Sequence, residues 1–357
     1  MKKYKIAVIP GDGVGVEVIN EGLKILNTIK EIHGGIDFEF KTFPWSCEYY
    51  LKTGKMMPKD GIKILSDFEA IYLGAVGFPG VPDHISLWGL LLPIRKEFDQ
   101  YVNLRPVKLL KGIKGPLRTE KIDFVVVREN VEGEYSGTGG RLYQGTENEV
   151  AIQTAVFTRK GTERVMRYAF ELAMKRNKNL ISTTKSNALN YGMVFWDDIF
   201  NNLKNDYPEV ETRTMHVDAL SGYFLLHPEN IDVVVASNLF GDILTDLGSA
   251  MQGSIGIAPG ANINPEKKYP SMFEPVHGSA PDVAGKGIAN PIGAIWTASM
   301  MLDHLGETDS AKLIMKALEK VTEEGIYLTK DVGGNSKTHE VGDAVNNKIK
   351  ELAKNSW

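Results

Sequence analysis

The stretch YKIAVIPGDGVGVEV, residues 4–18, passes from an apolar run through a glycine turn into an apolar-periodic segment. Tyr4–Ile9 reads as a short buried strand. Apolar residues at Val18, Leu23 and Leu26 then predict a helix from about Val14 to Ile32. Strand, glycine turn and helix together open a βαβ unit. The same order recurs along the chain: AIYLGAV at 70–76, DFVVVREN at 123–130, NLISTTK at 179–185 and DVVVASN at 232–238 read as strands, separated by helical runs such as ERVMRYAFELAMKRN at 163–177. This alternation predicts an α/β fold with a largely parallel sheet. Lys108–Glu120 reads as a surface connection, and the Gly-, Pro- and Asn-rich segment Gly253–Pro281 as a long ordered loop region. No internal repeat or low-complexity segment interrupts the pattern.

At 357 residues, 43% hydrophobic and 24% charged, the chain is longer than most single domains, so two domains or one large lobed unit are expected. A net charge of -4 gives no overall attraction to nucleic acid or to an anionic membrane, so any anion site must be local. The single cysteine, Cys47, excludes an intrachain disulfide and fits a reducing compartment, as a buried, inert thiol. The apolar run at the start is too short for a signal segment and no other run has the length of a membrane span, so a cytoplasmic location is expected.

In open α/β sheets, ligands gather at the carboxyl ends of the strands, where Arg128, Lys185 and Asn238 fall. The glycine cluster GDGVGVEV resembles a dinucleotide fingerprint, but Val16 stands where the third glycine belongs, and a tight strand-to-helix turn explains it equally well. Arg95, Arg105 and Arg128 could clamp a dicarboxylate through paired hydrogen bonds, or serve as ordinary ion-pairing arginines. Lys185, if partly desolvated, could act as a general base; otherwise it is a solvated lysine. Tyr135 is either a phenolic acid or a packed aromatic, and His277 either a ligand contact or a satisfied buried histidine.

In SNLFGDILTDLG at 237–248, Asp242 and Asp246 lie one helical turn apart, where like charges repel by a few tenths of a kcal/mol. A solvated acidic face accounts for such a pair, and so does a divalent cation, since Mg2+ and Mn2+ favour carboxylate oxygens.

Taken together, IPGDGVG at 9–15, NLRP at 103–106, VVREN at 126–130, TKSN at 184–187, SNLFGDILTDLG and EPVHGSAPDVAGKGIANP at 274–291 resemble the β-decarboxylating dehydrogenases of isocitrate, 3-isopropylmalate, homoisocitrate and tartrate/D-malate. The resemblance covers nearly the whole chain. It implies an isocitrate/isopropylmalate dehydrogenase-like two-domain fold that is not a Rossmann fold. A discontinuous cofactor domain would comprise 1–102 plus 253–357, and a substrate, metal and dimerisation domain 103–252. It further implies that Asp242 and Asp246 ligate Mg2+ or Mn2+, with Asp218 as a third ligand from the neighbouring subunit. Arg95, Arg105 and Arg128 would take the substrate carboxylates, and Lys185 and Tyr135 the acid–base roles. Asn187, Asn290 and the loop residues His277, Gly278, Ser279, Ala280 and Asp282 would hold the cofactor. Lys185 and Asp218 would reach across a homodimer, with a tetramer left open. Asp282 would accept the ribose hydroxyls and repel a 2′-phosphate, which favours NAD over NADP.

Within the family, PDHISLWG at 82–89 and KEFDQYVNLRP at 96–106 are most similar to the tartrate/D-malate branch. Trp88 and Leu91 precede Arg95 and would face the substituent at C3, Trp88 filling the space that an isopropyl group needs. The implied reaction is NAD-dependent oxidative decarboxylation of a (2R)-2-hydroxy dicarboxylate. D-malate, giving pyruvate and CO2, comes first, with tartrate as a related substrate, 3-isopropylmalate as the alternative and K+ as an expected monovalent requirement. A noncatalytic regulatory relative should have lost one of Lys185, Tyr135, Asp242 or Asp246, and the chain keeps all four. A phosphoryl-transfer enzyme is disfavoured because no Walker-type loop is present.

Overall fold

The computed structural model describes residues 1–354. The described residues divide into two compact units, one formed by residues 1–100, 108–120 and 249–354, the other by 101–107 and 121–248. Among the described residues no helix is long and apolar enough to cross a membrane.

In the first unit, β1 (Lys2–Gly11) lies between β2 (Ile36–Thr42) and β3 (Ala70–Ala75), parallel to both. The helix Val14–His33 follows β1 and buries Val18, Ile19, Gly22, Ile25, Leu26 and Ile29, a stripe spaced three and four residues apart. It stops at Gly34, which adopts the left-handed conformation and returns its N–H to the Lys30 carbonyl. Cys47 is fully buried at the start of the helix Cys47–Thr53, and burial pushes its thiol pKa up to about 12, as an inert thiol requires.

In the second unit the strands β4 (Val102–Lys108), β5 (Asp123–Glu129), β8 (Asn179–Thr184), β9 (Glu211–His216) and β10 (Val233–Ala236) take the order β4-β5-β10-β8-β9. The pairs β5–β10, β10–β8 and β8–β9 are parallel, as βαβ connections require. Val233, Val234, Val235 and Ala236 are all fully buried, and the helix Asn238–Met251 begins two residues after the strand ends. A separate antiparallel ribbon, β6 (Gly133–Leu142) with β7 (Val150–Val156), has no counterpart in the sequence reading. Its residues are mostly exposed, so no buried face marks it by alternation.

Gly253–Pro281 is not the loop that its composition suggests. It holds β11 (Pro259–Ile263) and β12 (Ser271–Pro275), paired antiparallel, and β12 also pairs parallel with β3. All ten residues of the two strands are buried. Strands of five residues containing Pro259, Gly260, Asn262 and Pro275 leave too little apolar sequence to register against that composition.

Candidate active site

The helix Asn238–Met251 sets Asp242 and Asp246 one turn apart, beside the carboxyl end of β5. Arg128, almost completely buried, donates from Nη1 to Asp242 Oδ1 at 2.5 Å, and from Nε and Nη2 to Asn238 Oδ1 at 3.1 and 2.8 Å. Gly241 makes this possible: a Cβ there would stand 2.5 Å from Arg128 Cγ. The Tyr135 hydroxyl donates to the other oxygen, Asp242 Oδ2, at 2.7 Å, and the Arg128 guanidinium lies 5.6 Å from its ring centroid. Burial, then the bond to Asp242, pushes the Tyr135 phenol up to about 12, so it holds its proton at neutral pH. Arg105, also buried, donates from Nε to Asn103 Oδ1 at 2.8 Å.

Desolvation and the Asp242 charge raise the Asp246 carboxyl pKa, while Arg105 and Arg128 pull it down. Two carboxylates that repel each other on one helical turn suit a divalent cation, which removes the repulsion. They need further ligands, because among the described residues no three His, Cys, Asp or Glu side chains gather to hold a metal. Asp218 is exposed and bound instead to Lys185, whose Nζ donates to Asp218 Oδ1 at 2.8 Å. That lysine holds the Asp218 carboxyl below its usual pKa. The second unit therefore brings Arg105, Arg128, Tyr135, Asp242 and Asp246 together and sets Lys185 and Asp218 as a separate pair. Asn187 is exposed in the turn after β8.

The first unit carries a cavity of about 650 Å³ lined by Val14, Ile255, His277, Gly278, Ala280 and Asn290, among others. His277 Nδ1 meets the Gly278 carbonyl at 3.0 Å, while its Nε2 is buried with no protein partner, a polar atom that suits a bound nucleoside. Asn290 is committed to the protein: its Nδ2 donates to Asp331 at 2.9 Å and its Oδ1 accepts the Ile292 N–H at 3.0 Å. Ser279 lines the neighbouring depression formed by residues 76–83, and Asp282 is exposed on the loop outside the cavity lining. The glycine turn supports this loop. The Val14 N–H donates to the Ser279 carbonyl at 2.9 Å, and Gly13, at φ +57°, approaches so closely that a Cβ would lie 2.1 Å from that oxygen.

Arg95 is buried in this unit, where its Nη2 donates to Glu274 Oε1 at 2.7 Å and its Nε has no protein partner. The segment leading to it is α-helical at Asp83–Ser86 and Leu92–Glu97, with a π-helical turn, Leu87–Leu91, between. π-turns inside α-helices mark functional sites often. Trp88 is 45% exposed with Lys96 Nζ 4.6 Å from its ring centroid, whereas Leu91 is buried with Leu90 and Ile94 in the core beneath.

The isocitrate/isopropylmalate dehydrogenase family profile matches residues 5–345. The chain belongs to that family. It is 58% identical over 354 residues to a probable tartrate dehydrogenase/decarboxylase of Bacillus subtilis, covering 99% of both chains. It is 54% identical to a D-malate dehydrogenase (decarboxylating) of Escherichia coli, covering 97% of this chain and 98% of that one. The crystal structure of isocitrate dehydrogenase from Methylococcus capsulatus superposes with a TM-score of 0.87 at 31% identity, over 97% of this chain and 99% of that one. The α/β fold of this dehydrogenase family is therefore the fold of this chain.

Three residues that sequence reasoning missed border the candidate sites: Asn103 against Arg105, and Lys330 and Asp331 on the cavity wall; Asn238, which the sequence placed at a strand end, lies against Arg128. Asn238 follows β10 directly, as a strand-end site residue does. Lys330 and Asp331 lie about 40 residues beyond the loop they help to enclose, and carry no local signal.

Proposed function

We propose that the chain is a decarboxylating dehydrogenase of hydroxy acids that oxidises D-malate with NAD to pyruvate and CO2, with tartrate as a related substrate. The observation that carries this reading is the convergence on Asp242 of Arg128 and Tyr135, with Asp246 one turn away. A cation site, a carboxylate-binding group and a proton donor then lie within one hydrogen-bond network. Arg105, Arg128, Asp242 and Asp246 sum to zero charge. A divalent cation raises the site to about +2, the match for a dicarboxylate.

Asp242 and Asp246 would hold Mg2+ or Mn2+, which would supply Lewis acidity toward the 2-hydroxyl and its neighbouring carboxylate, and NAD would supply the acceptor for the hydride lost from C2. Arg105 and Arg128 hold the substrate carboxylates through planar, paired hydrogen bonds. Lys185 takes the hydroxyl proton. Loss of the C3 carboxyl as CO2 leaves its bonding electron pair on C3, and Tyr135 delivers a proton there. Lys185 and Asp218 sit apart from Asp242, which supports a homodimer in which each serves the partner's site. The His277–Asn290 cavity takes the adenosine half of the cofactor, and the Asp282 charge favours NAD over NADP. Trp88 limits the bulk tolerated at C3.

Initial-rate NADH formation tests this with Mn2+ and K+ present, comparing D-malate, L-tartrate, 3-isopropylmalate and isocitrate while CO2 release is followed. Preference for D-malate with matched CO2 is the expected result. Preference for 3-isopropylmalate would keep the chemistry and overturn the role given to Trp88.

A further inference from the structure

The helix that leads to Arg95 contains one residue more than its turns call for. It is α-helical at Asp83–Ser86 and again at Leu92–Glu97, and between them the Leu92 N–H returns to the Leu87 carbonyl, five residues back instead of four. In an uninterrupted α-helix, residues seven apart fall within about 20° of one another around the axis, so Arg95 would lie in line with Trp88. The π-turn inserts a residue between them and rotates everything after it by about 100°. Lys96 then takes the place in line with Trp88, and Arg95 is carried round into the interior.

Both consequences are seen in the side chains. Arg95 is 8% exposed and bonded to Glu274, whereas Lys96 Nζ stands 4.6 Å from the Trp88 ring centroid. Helical side chains lean toward the N-terminus, the direction in which Lys96 reaches back to Trp88. The indole of Trp88 is 45% exposed, so packing holds it on one side only. A cation over such a ring favours that placement of the ring about two- to fivefold. An ammonium has three N–H groups, so it can hold the ring while meeting other partners.

We propose that Lys96 is a positioning residue for substrate choice, holding the Trp88 indole across the space before Arg95, and that the π-turn is what brings the two into line while Arg95 faces inward. This rests on the reading of Trp88 as the group that limits bulk at C3.

The test is Lys96→Met, which keeps an unbranched stem and removes the cation, beside Lys96→Arg, which restores one. Two readouts are taken on each protein. One is the ratio of kcat/KM for 3-isopropylmalate to that for D-malate; the other is acrylamide quenching of Trp88 fluorescence, isolated by subtracting the matching Trp88→Phe protein. Lys96→Met should raise the ratio about two- to fivefold and make Trp88 more readily quenched, while Lys96→Arg stays close to wild type on both. If 3-isopropylmalate turns over too slowly, its competitive inhibition constant against D-malate is read and should fall by the same factor. A lysine that merely supports the helix would lower the melting temperature and depress both substrates alike, leaving the ratio unchanged. Either readout unchanged in Lys96→Met, or Lys96→Arg matching Lys96→Met, would overturn the proposal. An unchanged ratio in Trp88→Ala would overturn the reading of Trp88 itself, and the proposal with it.

Discussion

Tyr135 and Asp242, 107 residues apart in the chain, share a 2.7 Å hydrogen bond, and the oxygen of Asp242 that Tyr135 leaves is the one bound by Arg128. A phenol and a guanidinium are therefore tethered to one metal-ligand candidate. Tyr135→Phe removes the donor, and with it the bond to Asp242 Oδ2, but leaves both carboxylates in place. The expected outcome is a fall in kcat of about 10²- to 10⁴-fold, the usual worth of a positioned acid. Mn2+ affinity, measured by titration, should stay within about threefold of wild type. A variant that turns over D-malate at the wild-type rate would remove Tyr135 from the chemistry.

Asp246→Asn separates function from stability. The carboxyl of Asp246 is disfavoured by desolvation and by Asp242, so neutralising it relieves repulsion in the metal-free protein. Its melting temperature should hold or rise slightly while Mn2+ binding weakens at least tenfold. A lower melting temperature without metal would contradict the repulsion.

Glu129 is the group to watch as pH changes. It is buried at the end of β5, accepts the N–H groups of Val131 and Glu132 at 2.9 Å each, and burial pushes its carboxyl up to about 7. Because the folded value lies above the unfolded one, the native state retains a proton that the unfolded chain releases between about pH 4.5 and 7. The associated stability is full below that window and is lost as pH rises through it, on the order of 3 kcal/mol if the whole shift is expressed. Glu129→Gln cannot ionise. Denaturant melts at pH 5 and pH 8 should show the variant less stable than wild type at the lower pH and gaining on it at the higher. Parallel pH dependence in the two proteins would rule Glu129 out as the source.

Gly13→Ala places a Cβ against the Ser279 carbonyl at a positive φ. Backbone must move, at a cost of about 1–3 kcal/mol. Since the displaced loop carries His277 to Asp282, the KM for NAD should rise several-fold with little change in the KM for the hydroxy acid. Equal effects on both would mean that the glycine serves the fold alone.

Trp88→Ala enlarges the space before Arg95. The ratio of kcat/KM for 3-isopropylmalate to that for D-malate should increase by about tenfold or more, the usual discrimination available to a hydrophobic pocket. An unchanged ratio would place the substituent elsewhere.

The strands and helices that bury a regular face were legible in the sequence: β1, the helix after it, and β10 leading into the aspartate helix all fall within a few residues of their expected bounds. What the sequence did not reveal were the contacts between residues remote from one another along the chain. The Nε of Arg128 turns to Asn238, 110 positions away, and Asn290 to Asp331, 41 positions away; no local period encodes either. The π-turn at Leu87–Leu91 was equally hidden, because LWGLL fits an ordinary helix as well. The strands β11 and β12 were masked by prolines and glycines that usually mark loops.

β3 is an interior strand of the first unit, with β1 on one side and β12 on the other, and β12 is made some two hundred residues after it. During synthesis the first hundred residues emerge with one side of β3 unpaired, and they stay so until Ser271–Pro275 leaves the ribosome. The second unit, 101–107 with 121–248, is complete 23 residues before β12 begins. The nascent chain therefore matures from its middle outward, and the period of greatest exposure to chaperones and to mispairing is fixed by the distance between two neighbouring strands along the message.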